Sequence, residues 1–264
     1  VFIKKKYSNQ IDEVKLLQKK GSVITYKDRK KALSIAEKKF KIAILDDGLQ
    51  QKNIHYDLSI VCFNSKNGLG NKFVIPSGPL RENINEIKNY DLIFINGEEE
   101  NSKLIKDIKK IKKNLNIFES KYVPSNLKNF DLKKKYLIFS CIGNPHEFEK
   151  TLIKYKFKIY KKFIFPDHYK LNDRKINEIK KLAKSKKLDI LTTEKDFYRL
   201  DNNQKKNIKF LKISLKIKNI NKLKKIIFKN LWKRLFTCYK GDIKVSISHT
   251  QTHAVAFAIL KINS

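Results

Sequence analysis

Methionine is absent from this 264-residue chain, and cysteine (three), proline (five), glycine (eight) and tryptophan (one) are scarce. The missing methionine and the start at Val1 predict a natural N-terminus that lies upstream. Cys62, Cys141 and Cys238 are far apart and show no C-x-x-C spacing, which argues against a zinc site or a disulfide framework and for a reducing, cytoplasmic setting. No apolar run reaches the roughly 18 residues of a membrane-spanning helix. Acidic residues are few as well: 26 Asp+Glu stand against 60 Lys+Arg, for a formal net charge of +34. That balance is the electrostatic footprint of a nucleic-acid binder. Yet only five of the basic residues are Arg (Arg29, Arg81, Arg174, Arg199 and Arg234), the type that base edges and bidentate phosphate contacts favour. A solvated lysine surface is the preferred reading, with attraction to an anionic membrane or a phosphorylated substrate beside it. A basic nucleic-acid-binding protein without catalysis is the alternative class. With 41% hydrophobic and 11% aromatic residues, a core can be buried, and disorder throughout is excluded.

What is present is an alternation of short apolar runs with amphipathic Lys/Glu-rich segments, the pattern of βα units around a largely parallel sheet. The spacing predicts strands over 21–26, 41–45, 58–63 and 91–96, a helix over 28–39 and a helix-like stretch over 14–20. The loop over 64–85 is too long to be a mere connector. A Lys/Ile-rich helix and an Asn/Pro stretch then form a passage that closes a first domain over 1–131. A second, smaller α/β domain over 132–236 has predicted strands at 136–140, 158–165, 188–193 and 208–217 and helices at 146–156, 172–185 and 219–236. Residues 237–264 read as an atypical hairpin-like tail.

Ligands of open α/β sheets bind beyond the carboxyl ends of the strands, and distinctive polar clusters fall there. Asp46 and Asp47 follow the apolar run Ile42-Ala43-Ile44-Leu45. Adjacent carboxylates in that place can serve Mg2+, while Asp-Gly is also a common turn, and both readings stand. His168, in Phe165-Pro166-Asp167-His168-Tyr169, could accept a proton or orient a carboxylate, or be an ordinary loop histidine. Asp12, before the helix-like stretch, reads as an N-cap. Pro76-Ser77-Gly78-Pro79-Leu80-Arg81-Glu82 offers backbone amides, a rigid turn and an arginine for an anion, or is a plain loop. Thr192-Thr193-Glu194-Lys195-Asp196 is expected to cap a helix and pair charges.

Taken in order, Ile11-Asp12-Glu13, Asp28-Arg29, Leu45-Asp46-Asp47-Gly48-Leu49-Gln50, the Pro76–Glu82 stretch, Gly143-Asn144-Pro145, Phe165-Pro166-Asp167-His168 and Thr192–Asp196 resemble the tetraacyldisaccharide 4'-kinases of lipid A biosynthesis over residues 7–230. The resemblance implies an α/β fold, with an incomplete P-loop-type parallel-sheet domain followed by a smaller α/β domain. It implies ATP-dependent phosphorylation of the 4'-hydroxyl of a tetraacyl glucosamine disaccharide 1-phosphate. The setting it implies is the cytoplasmic face of the bacterial inner membrane, in peripheral contact with it. Its implied partners are the lipid A disaccharide precursor and ATP, with no nucleic acid. In this family, Asp12 would be the general base and His168 its orienting partner. Asp46 and Asp47 would serve Mg2+, while Gln50, Arg81 and Glu82 would line the substrate site.

The chain also departs from the family. It contains no G-x-x-x-x-G-K-[ST] loop, whose amides and lysine cradle the β- and γ-phosphates, so it is expected to bind ATP poorly and turn over negligibly. Ile11 stands where the family has glycine, and Leu49 and Gln51 where it has an aromatic residue and histidine. The tail is similar to the last β-hairpin of holo-acyl-carrier-protein synthases over Gly241–Thr250 and His253–Ala258, without that family's acidic metal-binding positions. A phosphopantetheinyl transferase is thus a lesser alternative. His249 and His253 read as an incidental pair on a strand.

Overall fold

The computed structural model describes residues 1–5, 11–167, 169–232 and 256–261, and of residues 11–13, 231–232 and 256–261 the backbone alone. In chain order the elements are β1 (Phe2–Lys5), α1 (Ile11–Gln18), β2 (Val23–Tyr26), α2 (Arg29–Glu37), β3 (Ile42–Asp46), β4 (Leu58–Asn64) and β5 (Leu92–Asn96). There follow α3 (Ser102–Ile111), β6 (Asn116–Pro124), β7 (Lys135–Ser140), α4 (Pro145–Lys154), β8 (Lys158–Ile164) and α5 (Asp173–Ser185). The last are β9 (Asp189–Thr193), α6 (Glu194–Arg199), β10 (Ile208–Leu211), β11 (Ile213–Ile217), α7 (Ile220–Trp232) and β12 (Ala256–Lys261). The chain divides into two compact units, one of residues 1–7, 20–122 and 215–264, the other of residues 8–19 and 123–214.

The first unit is built on a sheet of order β11-β6-β5-β4-β12-β3-β1-β2. The pairs β1–β2, β1–β3, β4–β5 and β5–β6 are parallel, whereas β12 runs antiparallel to both β3 and β4. The central strands are apolar along nearly their whole length, as strands covered on both faces must be. One face packs Ala32 and Ala36 of α2 with Leu104 and Ile108 of α3. The other carries Leu223 and Ile227 of α7 against Leu58, Ile60, Leu92 and Phe94.

The second unit has an all-parallel sheet, β10-β9-β7-β8. Ile176, Ile179 and Ala183 of α5 cover one face, and Phe148 and Leu152 of α4 the other. Within this unit the Lys19 ammonium lies 3.1 Å from the centroid of the Tyr198 ring on α6. The abundance of asparagine finds a local use at helix starts: Asn101, Asn144 and Asn172 accept from Leu104, Glu147 and Lys175 N–H at 2.8, 3.2 and 3.0 Å. The expected α/β fold with largely parallel sheets is observed.

Three elements differ from expectation. β1 was not foreseen, and the passage after α3 contains the nine-residue strand β6. The run over 208–217 is two strands because Lys212 leaves the ladder: its N–H donates to Asn126 Oδ1 at 2.8 Å and its carbonyl accepts from Ser125 N–H at 2.8 Å. Of the expected tail hairpin, Ala256–Lys261 is strand β12; Gly241–Thr250, with His249 and His253, lies outside the described residues.

Candidate active site

In the first unit the carboxyl ends of β1 and β3 bring together a cluster that neither segment suggests alone. β3 ends at Asp46, which is 6% exposed, and the chain turns through Asp47 at φ 57°, a left-handed conformation that aspartate tolerates better than most residues. The turn is held from outside. Arg29, at the start of α2 and 7% exposed, donates from Nη2 to the carbonyls of Asp46 and Asp47, both at 2.8 Å, and from Nη1 to Gln51 Oε1 at 3.4 Å. The Tyr56 hydroxyl donates to the Gly48 carbonyl at 2.6 Å, and burial pushes its pKa up to about 12 against the opposing pull of Arg29, so it stays a donor at neutral pH.

The two carboxylates have different surroundings. Asp46 Oδ2 meets the Lys4 ammonium at 2.5 Å, with both side chains 7% exposed, while its buried Oδ1 has no hydrogen-bond partner among the described residues. Asp47 Oδ1 accepts from Arg81, thirty-four residues along the chain. Arg81 belongs to the Pro76–Glu82 loop, so two of the sequence clusters meet here. Beside it Glu82 accepts from the Tyr90 hydroxyl, whose pKa is raised by burial and then by that carboxylate. Gln50 is exposed at the rim of a recess of about 50 Å3 that Arg81, Glu82 and Tyr90 also line. Asp46, Asp47, Gln50, Arg81 and Glu82 are thus neighbours at one edge of the sheet. Asp12 is the second residue of α1, inside the helix rather than at its N-cap, and its side chain lies outside the described residues, as does all of His168.

The second unit gathers its own polar groups at the same edge of its sheet. Asp196, 1% exposed, accepts from Cys141 N–H at 3.0 Å, Thr193 Oγ1 at 2.8 Å and Arg199 Nη1 at 3.0 Å. Arg199 Nη1 also donates to the Cys141 carbonyl at 2.7 Å, and Thr193 caps α6 by accepting from Asp196 N–H at 3.1 Å. Capping and charge pairing were the expected roles of this segment. Burial raises the Asp196 pKa, opposed by the Cys141 and Thr193 hydrogen bonds and by Arg199. A Cβ on Gly143 would lie 3.0 Å from Asp167 Oδ2, so the Gly-Asn-Pro turn and the Phe-Pro-Asp segment approach closely at the Asp167 carboxylate.

Sequence reasoning missed Lys4, Tyr56 and Tyr90, and gave Arg29 no role. Lys4 is concealed among Lys4, Lys5 and Lys6, which read as solvated charge. For Arg29 a signal existed: in so lysine-rich a chain, an arginine marks a place where a forked donor is wanted. Among the described residues no three His, Cys, Asp or Glu side chains assemble as a metal cage. Mg2+ does not require one, since it takes one or two carboxylates and completes its shell with water and phosphate oxygens.

Fold and site together define an α/β protein with paired carboxylates and forked cations at the strand ends, a donor set suited to phosphate chemistry. The chain belongs to the tetraacyldisaccharide-1-P 4'-kinase family, whose pattern matches residues 4–231. It is 48% identical over 235 residues to the tetraacyldisaccharide 4'-kinase of Pelagibacter ubique, covering 87% of this chain and 75% of that one. With the enzyme of Rickettsia typhi it shares 36% identity over 223 residues, 83% of this chain and 67% of the relative. The fold is similar to that of LpxK from Aquifex aeolicus, solved in complex with ATP: the TM-score is 0.64 at 24% identity, covering 87% of this chain and 78% of that one. The ordered motifs therefore identified the family correctly, and with it a kinase.

Proposed function

We propose that this chain takes part in lipid A biosynthesis by transferring the γ-phosphoryl group of ATP to the 4'-hydroxyl of a tetraacyl glucosamine disaccharide 1-phosphate. It would do so as a peripheral protein at the cytoplasmic face of the inner membrane. The observation that carries the reading is the Asp46–Asp47 turn, clamped by Arg29 and Arg81 at the carboxyl end of β3 in a chain of this family.

Phosphoryl transfer asks the protein for position and charge more than for covalent chemistry. Asp46, with a buried and unpartnered Oδ1, and Asp47 fit the oxygen donors that Mg2+ takes, and these two residues would hold it. When bound, the ion would offset the charge on the phosphate oxygens. Arg29 keeps the turn rigid so that both carboxylates stay at the strand end. Arg81 supplies a forked cation beside Asp47, with Gln50 and Glu82 on the same rim to meet substrate hydroxyls. Asp12 would accept the proton of the 4'-hydroxyl, and His168 would hydrogen-bond Asp12 and set its orientation.

The 264 residues contain no G-x-x-x-x-G-K-[ST] loop, so alone they should bind ATP weakly and turn over negligibly. The test is phosphate transfer from ATP to the disaccharide lipid by this chain and by the same chain joined, ahead of β1, to a segment carrying that loop. Activity confined to the joined protein, and lost in Asp12→Ala and His168→Ala, supports the reading. Full activity after both substitutions refutes the assignment of base and partner.

A further inference from the structure

The loop between β4 and β5 carries a feature that the phosphate chemistry leaves unused. Val74 packs against the core of the first unit, and its neighbours on either side are turned out, Phe73 63% and Ile75 48% exposed. Val74 forms a β-bridge with Leu80, and with that residue anchored the side chains before and after it face outward. The tip is fastened rather than loose. Phe73 N–H donates to Asn71 Oδ1 at 3.2 Å, Asn71 Nδ2 to the Ser77 carbonyl at 2.7 Å, Leu80 N–H to the Phe73 carbonyl at 3.2 Å and Ile75 N–H to the Leu80 carbonyl at 2.8 Å.

Single exposed apolar side chains are ordinary. Two on one hydrogen-bonded tip, next to a lysine that reaches an acid flanked by further lysines, are not. Lys72 reaches Asp107 of α3 at 2.9 Å, and Lys110 stands 3.9 Å from the same carboxylate. Lys103 also acts on Asp107, so three ammonium groups surround one acid, with exposed Lys66 and Lys106 nearby in the chain. An aromatic and an aliphatic side chain projecting from a basic rim match the interface of an anionic bilayer, where the apolar groups enter the headgroup boundary and the lysines meet the lipid charges.

We propose that the Phe73–Ile75 tip, together with Lys72 and the Lys103 and Lys110 that share its Asp107 partner, is the surface on which this chain rests on an anionic lipid bilayer. The inference depends on the reading above that the protein works at a membrane, and specifies where. Because the same loop continues into Arg81, contact at the tip would set the phosphate-binding edge of the sheet beside the headgroups, where an acylated sugar presents its hydroxyl.

The test is sedimentation of the whole chain with vesicles of phosphatidylethanolamine and phosphatidylglycerol, compared with phosphatidylcholine alone. The native chain should bind the anionic vesicles. Phe73→Ser/Ile75→Ser, both at exposed positions, should weaken that binding on the order of tenfold or more. Lys103→Gln/Lys110→Gln should weaken it on anionic vesicles only. Ile153→Ser/Tyr160→Ser, removing exposed apolar groups from the second unit, should leave it unchanged. Phe73→Trp should give emission that shifts to the blue when anionic vesicles are added, beyond any shift of the native protein with its one tryptophan. If the native chain binds and the tip variants bind equally, with the Phe73→Trp emission unmoved, the surface is wrong and the membrane reading survives. If the native chain binds neither vesicle, the membrane reading fails and the surface with it.

Discussion

Replacing Lys4 by methionine should be among the most damaging single changes in the first unit. The Lys4–Asp46 contact is 2.5 Å long, and each side chain is 7% exposed. At such a distance, and with an effective dielectric near 20, the attraction is worth about 7 kcal/mol, which offsets the cost of taking two ions out of water. Methionine keeps most of the lysine stem and removes the charge. Asp46 is then left buried with Oδ1 already unpartnered and Oδ2 newly so. Removing one partner of a buried pair costs about 3–5 kcal/mol, whereas replacing both by apolar groups is often close to neutral. Urea unfolding followed by circular dichroism should therefore show a midpoint lowered by more than about 1 M for Lys4→Met, and recovery of most of that loss in Lys4→Met/Asp46→Leu. Added Mg2+ should raise the melting temperature of Lys4→Met more than that of the native chain, since a cation can replace the lost ammonium. A loss under about 1 kcal/mol, or the same loss whether or not Asp46 is present, would refute the claim that this contact holds the strand end together.

Arg29→Ala should cost about 2–4 kcal/mol in thermal or urea unfolding, because two carbonyls of the Asp46–Asp47 turn lose charged donors at 2.8 Å, and Arg29→Lys should recover less than half, lacking the fork. Asp196 binds its proton more tightly folded than unfolded, so its contribution to stability is greatest below its ordinary value of 3.8 and is lost as pH rises through the raised folded value. The native chain should accordingly lose stability relative to Asp196→Asn as pH climbs from about 4, and parallel pH profiles would contradict this. Gly97→Ala should destabilise by more than about 1 kcal/mol, since φ is 156° and the added Cβ would fall 1.9 Å from Ser65 Oγ, with part of the loss restored by Ser65→Gly.

How far the sequence revealed this arrangement depended on the range of the interaction. Strands β3, β4 and β5 were legible because burial on both faces forces near-continuous apolar runs, and Leu58–Asn64 and Leu92–Asn96 have them. Asp46 and Asp47 were legible as the polar stop of such a run. β1 was not: its Phe-Ile-Lys-Lys is four residues long, and Lys4 is buried only because Asp46, forty-two residues away, receives it. β6 did carry a period-two signal in Phe118, Ser120 and Tyr122, alternating with Ile117, Glu119 and Lys121, but the polar half resembles the passage around it. The Arg81–Asp47 contact joins two clusters whose spacing contains no trace of their meeting.

The arginines recast the meaning of the chain's charge. Lysine covers the surface, where a hydrated point charge on a flexible stem suffices and ion pairs contribute little. Arg29, Arg81 and Arg199 instead occupy the carboxyl edges of the two sheets. Arg29 bridges two carbonyls, Arg81 pairs with Asp47, and Arg199 binds both a carboxylate and a carbonyl. Arg174, exposed on α5, has no such place, and Arg234 lies outside the described residues. A composition that first resembled a nucleic-acid binder therefore separates into two populations. The lysines set a long-range positive field. The three arginines, with their planar forks, fix the geometry of the strand ends by holding carbonyls and carboxylates that a point charge would hold less well.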